Sequence, residues 1–192
     1  QEFDVCELSR ASYLILRDRR SLPFIAVPAF RHRRFRHSYI FVNSAAGIAT
    51  PKDLEGRRVG IRTWQNTALL WVRGILEEHY GIDITTFHWY RLDEEDVPFT
   101  VPPQFKLTQL TREQNLNRML VEGEVDALIH PEIPSAFKQG DPRVRRLFAD
   151  AKAEEQRYYR ATGLFPLMHT VVIKEELLAR YPWVATAILK AF

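Results

Sequence analysis

Two histidines, each at the start of a short strand-like run, are the residues of this chain best suited to moving protons. His37 leads into Ser38-Tyr39-Ile40-Phe41-Val42, and His169 into Thr170-Val171-Val172-Ile173. An imidazole titrates near neutrality, so it can give or take a proton at working pH. Arg36 precedes the first histidine, and Arg62 follows the strand-like run Arg57–Ile61. A guanidinium fork holds a carboxylate through two parallel hydrogen bonds. Thr63 and Thr67 bracket the approach to a helix, where free N–H groups favour anions, and both offer hydroxyl donors. Glu7 and Ser9 close the first strand and can reach ligand hydroxyls, although Ser9 is equally suited to cap the following helix. His130 and Glu132 follow the run Val125–Ile129. His130 is a further ligand contact, and the two together are a candidate metal pair that would need distant partners. The chemistry on offer is proton transfer on a bound small anion. The plainer alternative is histidines that satisfy backbone groups at hinges and an arginine solvated beside a helix cap.

The elements that must position these groups follow from periodicity. Phe3 to Leu8 reads as a strand, Arg10 to Arg17 as a helix, and Leu22 to Pro28 as a buried strand ahead of a basic loop. Ser38 to Val42 is a first crossing strand. Thr50-Pro51 begins one helical turn with Pro at its first position, Arg57 to Ile61 is a strand, and Ala68 to Tyr80 is an amphipathic helix stopped by Gly81. Thr86 to Tyr90 is a strand, and the acid- and proline-rich stretch Asp93 to Lys106 reads as a surface loop. Asn115 to Glu122 is a helix stopped by Gly123, Val125 to Ile129 a strand, Val144 to Phe148 a short strand, and Ala151 to Ala161 a polar helix. After the second crossing, Lys174 to Phe192 is helical. Strands alternating with helices predict right-handed crossovers and a mainly parallel sheet. The predicted division is 1–42, part of a first lobe and the first crossing strand; 43–166, an inserted second lobe; and 167–192, the second crossing strand and the return to lobe 1. Two crossings would bring both histidines to an interlobe cleft, where small-molecule sites tend to form.

Composition narrows the function class. The 192 residues are 46% hydrophobic and 27% charged, with a net charge of +3, which is ordinary for a globular chain able to bury a sizeable core. The positive charge concentrates in Arg31 to His37. No zinc finger, aromatic RNA motif or sustained basic helix accompanies it, so nucleic acid is set aside as a partner. Cys6 is the only cysteine, which leaves no intrachain disulfide and no cysteine-based zinc site. No apolar run reaches the ~20 residues of a membrane span. The chain starts in mid-pattern and stops inside an amphipathic helix, as the middle of a longer protein would.

The phrases EFDVCELSRASYL, FRHSYIFVN, GIATPKDLEGRRVGI, LNRMLVEGEVDALI, GDPRVRRLF, YYRATGLFPLMHTVVI and PWVATAILKAF together resemble the bacterial 4,5-dihydroxyphthalate decarboxylases. These are relatives of the type II periplasmic binding proteins, especially the nitrate and taurine transport receptors. The resemblance covers essentially the whole chain. PKDLEGRRVGI is common to many binding proteins, whereas RHSYIFVN with FPLMHTVVI is more specific to the decarboxylase-like branch. The resemblance implies an α/β, type II binding-protein-like fold of two lobes, with mainly parallel sheets joined by two hinge strands and the first lobe incomplete. It implies decarboxylation of 4,5-dihydroxyphthalate, or a close aromatic diacid, to protocatechuate in the cytoplasm. A transport receptor for a small anion or aromatic acid, periplasmic and without turnover, is the alternative.

That reaction sets requirements. Losing a carboxylate leaves an electron pair on a ring carbon, so a site without an electron-sink cofactor must protonate that carbon, helped by a para phenol. It needs a cation for the retained carboxylate, a base for the phenol and an acid aimed at the ring. His169 is assigned as the acid and His37 as the base or phenol partner, in either order. Arg36 and Arg62 are assigned to the carboxylate, and Thr63, Thr67, Glu7, Ser9 and His130 to further substrate contacts. No organic cofactor is required. A divalent metal on His130 and Glu132, coordinating the catechol, stays open, as does a homo-oligomer.

Overall fold

The computed structural model describes residues 3–192. Gln1 and Glu2, the latter opening the EFDVCELSRASYL phrase, lie outside them. The chain divides into two compact units, a larger one of Phe35–Leu164 and a smaller one joining residues up to Arg34 with Phe165–Phe192. Residues 35–42, read from sequence with the first lobe, lie within the larger unit.

The smaller unit begins with β1 (Val5–Ser9), which runs straight into α1 (Arg10–Asp18), and continues to β2 (Phe24–Val27). The first helical N–H, on Arg10, has no partner inside the helix and donates to the Met168 carbonyl at 3.1 Å.

In the larger unit, the predicted crossing strand is shorter than its apolar pattern suggests. His37–Tyr39 forms a 3-10 turn, and only Ile40–Asn43 is extended, as β3. Thr50 and Asp53 close a reciprocal capping box around the turn Pro51–Leu54, as proline at the first helical position favours. Then come β4 (Arg58–Ile61) and α2 (Thr67–Gly74), which widens into a π turn at Ile75–His79. β5 (His88–Arg91) is followed by β6 (Lys106–Gln109), an edge strand emerging from the end of the predicted loop. α3 (Leu116–Glu122) ends at Gly123, whose left-handed φ of 74° fits glycine. β7 (Ala127–Ile129), a short α4 (Ser135–Lys138) with no forecast in the sequence, β8 (Val144–Arg146) and α5 (Ala151–Thr162) complete the unit. The chain returns through β9 (His169–Lys174), α6 (Glu175–Arg180) and α7 (Trp183–Ala191).

The six strands of the larger unit lie in the order β6-β5-β4-β7-β3-β8. The pairings among β6, β5, β4 and β7 are parallel, and β3 is antiparallel to β7 and β8. Apolar side chains cover both faces. One core gathers Val59, Ile61, Leu76, Trp89 and Ile129; the other gathers Phe41, Leu116, Leu120 and Leu128. Arg58 ties the sheet to α3 by bonding Asp126 at 2.7 and 3.0 Å and the Gly123 carbonyl at 2.8 Å. Burial would raise the Asp126 carboxyl, but the bonds from Arg58 prevail and hold it below the usual aspartate range.

In the smaller unit the order is β1-β9-β2, with both pairings antiparallel. A mainly parallel sheet was predicted there too; the returning strand instead lies between β1 and β2 and runs against both. Val171 and Ile173 pack with Val27 and Ala29 against Leu178 and Ile188. Among the described residues no helix is long and apolar enough to cross a membrane.

Candidate functional site

β4 and β7 are parallel, so the residues that leave their carboxyl ends emerge on one sheet edge. β3 runs the other way beside β7, with Ile40 opposite Ile129, so the residues preceding β3 reach that edge as well. Open α/β sheets bind ligands at such an edge. Arg36 and Tyr39 before β3, Arg62 and Thr63 after β4, Asn66 at the start of α2, and His130 after β7 line one narrow pocket whose enclosed space, about 10 Å³, is that of a single water.

Arg36 is buried, stacks over the Tyr39 ring at 5.0 Å and donates to the Pro131 carbonyl at 3.4 Å. Arg62 is half-exposed and donates from Nε to Asp93 at 2.6 Å. Asn66 caps α2 by accepting the Ala68 N–H at 2.9 Å. The His130 Nδ1 lies 3.0 Å from the Glu132 carbonyl and 3.1 Å from the Glu132 N–H. It donates to the first or accepts from the second according to tautomer, and Nε2 takes the complementary role. Burial foremost holds this ring below the ordinary histidine pKa; the Glu132 carbonyl pulls the other way, and the Arg62 charge adds to the lowering. The ring is therefore neutral at neutral pH. The edge thus brings two guanidinium groups, a hydroxyl and a neutral imidazole together around one narrow opening.

Four of the substrate-binding residues proposed from sequence thus meet here: Arg36, Arg62, Thr63 and His130. Thr67 is buried in the first turn of α2 and does not line the pocket. Tyr39 and Asn66 were not forecast. Tyr39 directly precedes β3 and Asn66 caps α2, so position in the chain and the capping residue type were the available signals.

His37 is elsewhere in the larger unit. It is 1% exposed and ringed by Tyr158, Phe148 and Tyr80 at centroid distances of 5.2, 5.5 and 6.1 Å. Neither ring nitrogen has a hydrogen-bond partner. Burial, opposed by Glu154 and assisted by His79 and Arg157, pushes its pKa down to about 4. The residue read as a proton carrier at the start of a strand is a neutral ring inside an aromatic box.

In the smaller unit, His169 opens β9 opposite Ser9, and its Nδ1 meets a Glu7 carboxylate oxygen at 2.9 Å. Both side chains are about 40% exposed. The His32 ring stands edge-on to His169 at 5.2 Å, held by the bond from the Met168 N–H to the His32 carbonyl at 2.8 Å. Sequence left His32 in the basic loop, because this neighbour depends on β9 returning. Among the described residues no group of three or more His, Cys, Asp or Glu gathers in a way that could hold a metal. Among the described residues, no further His, Cys, Asp or Glu joins His130 and Glu132 in such a group.

The chain matches the family described as ABC transporter, phosphonate, periplasmic substrate-binding protein over residues 1–157. It is 37% identical over 197 residues to a 4,5-dihydroxyphthalate decarboxylase of Comamonas testosteroni, covering 100% of this chain and 60% of that protein. A second 4,5-dihydroxyphthalate decarboxylase, of Pseudomonas putida, is 36% identical over 166 residues, covering 83% of this chain and 64% of the relative. The chain therefore spans under two thirds of the length of these curated relatives. Among solved structures, the periplasmic aliphatic sulphonate binding protein SsuA of Escherichia coli superposes with a TM-score of 0.57 at 15% identity, over 98% of this chain and 53% of that one. At that identity the likeness is one of fold.

Proposed function

The chain belongs to the family of ABC transporter, phosphonate, periplasmic substrate-binding proteins, and from that premise we propose that it is part of an enzyme built on the binding-protein fold, which decarboxylates 4,5-dihydroxyphthalate or a close aromatic diacid to protocatechuate and carbon dioxide. The observation that carries this reading is the grouping of Arg36, Arg62, Thr63 and His130 around one pocket. The two relatives named as such decarboxylases support the choice of substrate.

In this proposal Arg62 and Arg36 hold the carboxylate that is retained, as a guanidinium pair suits a planar anion. His130, neutral by burial, takes the phenol proton para to the departing carboxylate. Electron release from that oxygen raises electron density at the ring carbon, which accepts a proton. The carbon–carbon bond then breaks, its electron pair restores the aromatic ring, and carbon dioxide leaves. The base role read from sequence at His37 passes to His130, because the His37 nitrogens are enclosed. The acid role read from sequence at His169 is kept as a separate proposal within the smaller unit, its Nδ1 oriented by Glu7 as carboxylates orient catalytic imidazoles. The reading places the enzyme in the cytoplasm with a small aromatic carboxylate as its partner.

The test is incubation with 4,5-dihydroxyphthalate while following carbon dioxide and protocatechuate. We expect His130→Gln and His169→Gln each to lower kcat by about 10²-fold or more, and Arg62→Lys to raise KM. Near-normal turnover in both histidine variants would remove the mechanism. The family's transport members favour a second reading, a receptor that binds an aromatic or other small anion without turnover in the periplasm. Saturable binding with no product would select it.

A further inference from the structure

The pocket-bearing turn after β4 is held almost entirely by one acidic segment. The Trp64 and Gln65 N–H groups donate to the two oxygens of Glu95 at 2.7 and 2.8 Å. The Glu95 side chain is 4% exposed and is also bonded by Arg91 at 2.8 Å. Asp93 accepts from Arg62 Nε at 2.6 Å, and its N–H donates to the Arg62 carbonyl at 2.8 Å. Gln65 and Val97 exchange side-chain-to-backbone bonds in both directions. On the other side of the turn, the Arg73 guanidinium lies 3.9 Å from the centre of the Trp64 ring.

These contacts have a chemical meaning beyond packing. Adjacent backbone N–H groups ahead of a helix are where a bound anion would be received. Here a carboxylate of the chain itself already occupies the pair at Trp64 and Gln65. The anion selectivity of the edge therefore falls on Arg62 and Thr63, whose backbone lies between the Asp93 and Glu95 anchors. We propose that Glu95 and Asp93 are positioning residues: Glu95 fills the backbone anion niche from within, and the pair fixes Arg62 and Thr63 in the geometry that receives the substrate carboxylate. The proposal rests on the reading of Arg62 and Thr63 as carboxylate holders. Neither acid touches substrate in it; both act through the turn.

Glu95→Gln keeps the size of the side chain but leaves one oxygen for two N–H donors and removes the charge that strengthens both bonds. Steady-state kinetics with 4,5-dihydroxyphthalate should show KM raised about tenfold or more with kcat changed less than about threefold, the pattern of lost ground-state binding. Glu95→Asp should recover part of the loss, and Asp93→Asn should raise KM by a smaller factor. Hydrogen exchange supplies the independent readout. In Glu95→Gln the Trp64 and Gln65 amides should exchange at least about tenfold faster while those of β5 and β7 stay protected. Faster exchange with an unchanged KM would overturn the positioning role, and so would unchanged exchange. If the parent protein neither turns over nor binds 4,5-dihydroxyphthalate, the functional reading fails. The exchange result then still decides whether Glu95 holds the turn, and titration with other aromatic and aliphatic dicarboxylates decides whether holding it governs carboxylate affinity; equal affinity in parent and variant for any that bind, or no binding of any, overturns it.

Discussion

The two units differ in how completely they bury their own apolar surface. In the larger, Phe41, Leu120, Leu128, Phe87 and Trp89 are fully enclosed, and both sheet faces have a core. The smaller is built on three strands and one small core, with no buried residue in α6 or α7. Most of the exposed large apolar side chains belong to it although it is the shorter, among them Phe3, Leu14, Trp183 and Phe192 at 59, 52, 66 and 62%. These residues taken alone, in a chain that spans under two thirds of its curated relatives, bury too little surface to be more than marginal. The contrast teaches that the ligand-facing edge of the larger unit stands on a two-sided core contained within these residues, whereas the residues around the Glu7–His169 pair supply only a small one.

The strongest way to break this comparison is to separate the units. Residues 35–164 expressed alone should unfold in one cooperative urea transition, and residues 1–34 joined to 165–192 by a short linker should show none; circular dichroism reads both. A cooperative transition in the second would refute the contrast. Next in size are core truncations. Leu128→Ala should cost the larger unit about 3 kcal/mol of unfolding free energy, read from urea melts, whereas Leu178→Ala, only partly buried, should cost about 1 kcal/mol.

A comparable effect is expected from pH. The buried His37 ring titrates near 4, whereas in the unfolded chain it takes up a proton near 6.5. Between those values the unfolded state binds more protons, so stability falls as pH drops from 6.5 to 4, by up to about 3 kcal/mol. Urea melts of the parent and of His37→Phe across that range should diverge at pH 7 versus pH 4 by that amount; parallel curves would mean that the ring is not enclosed in solution. The smallest effect belongs to the half-exposed pair of the smaller unit, where Glu7→Gln should change stability by less than about 1 kcal/mol.

What could be read from the sequence follows from locality. The strand Arg58–Ile61, the helix stop at Gly123 and the polar helix from Ala151 declare themselves within a few residues, through alternation, glycine and period. Arg62 and His130 were legible because each directly follows a strand of a parallel sheet, and that alone sends both to the same edge. Glu95 was not legible. It lies about thirty residues from the N–H groups it receives, in a stretch whose acids and prolines look like a surface loop, and only the pairing of β5 with β4 returns it. The enclosure of His37 was not legible for the same reason: its enclosing rings come from the turn after α2, from the stretch after β8 and from α5. β6 was missed because Lys106-Leu107-Thr108-Gln109 is a mostly exposed edge strand with too little alternation to show.

The wide turn at Ile75–His79 has a consequence for the length of the chain. A turn closed by i to i+5 bonds holds one residue more than an α turn, so the stretch between Val72 and Gly81 carries a surplus position. Deleting one residue there converts the bulge to ordinary helix while Arg73 and Tyr80 keep their facing. The same deletion inside α3 or α5 would rotate every later side chain of that helix by about 100°. The surplus can be removed only at the exposed Glu77 or Glu78, because Ile75 and Leu76 of the same turn belong to the core.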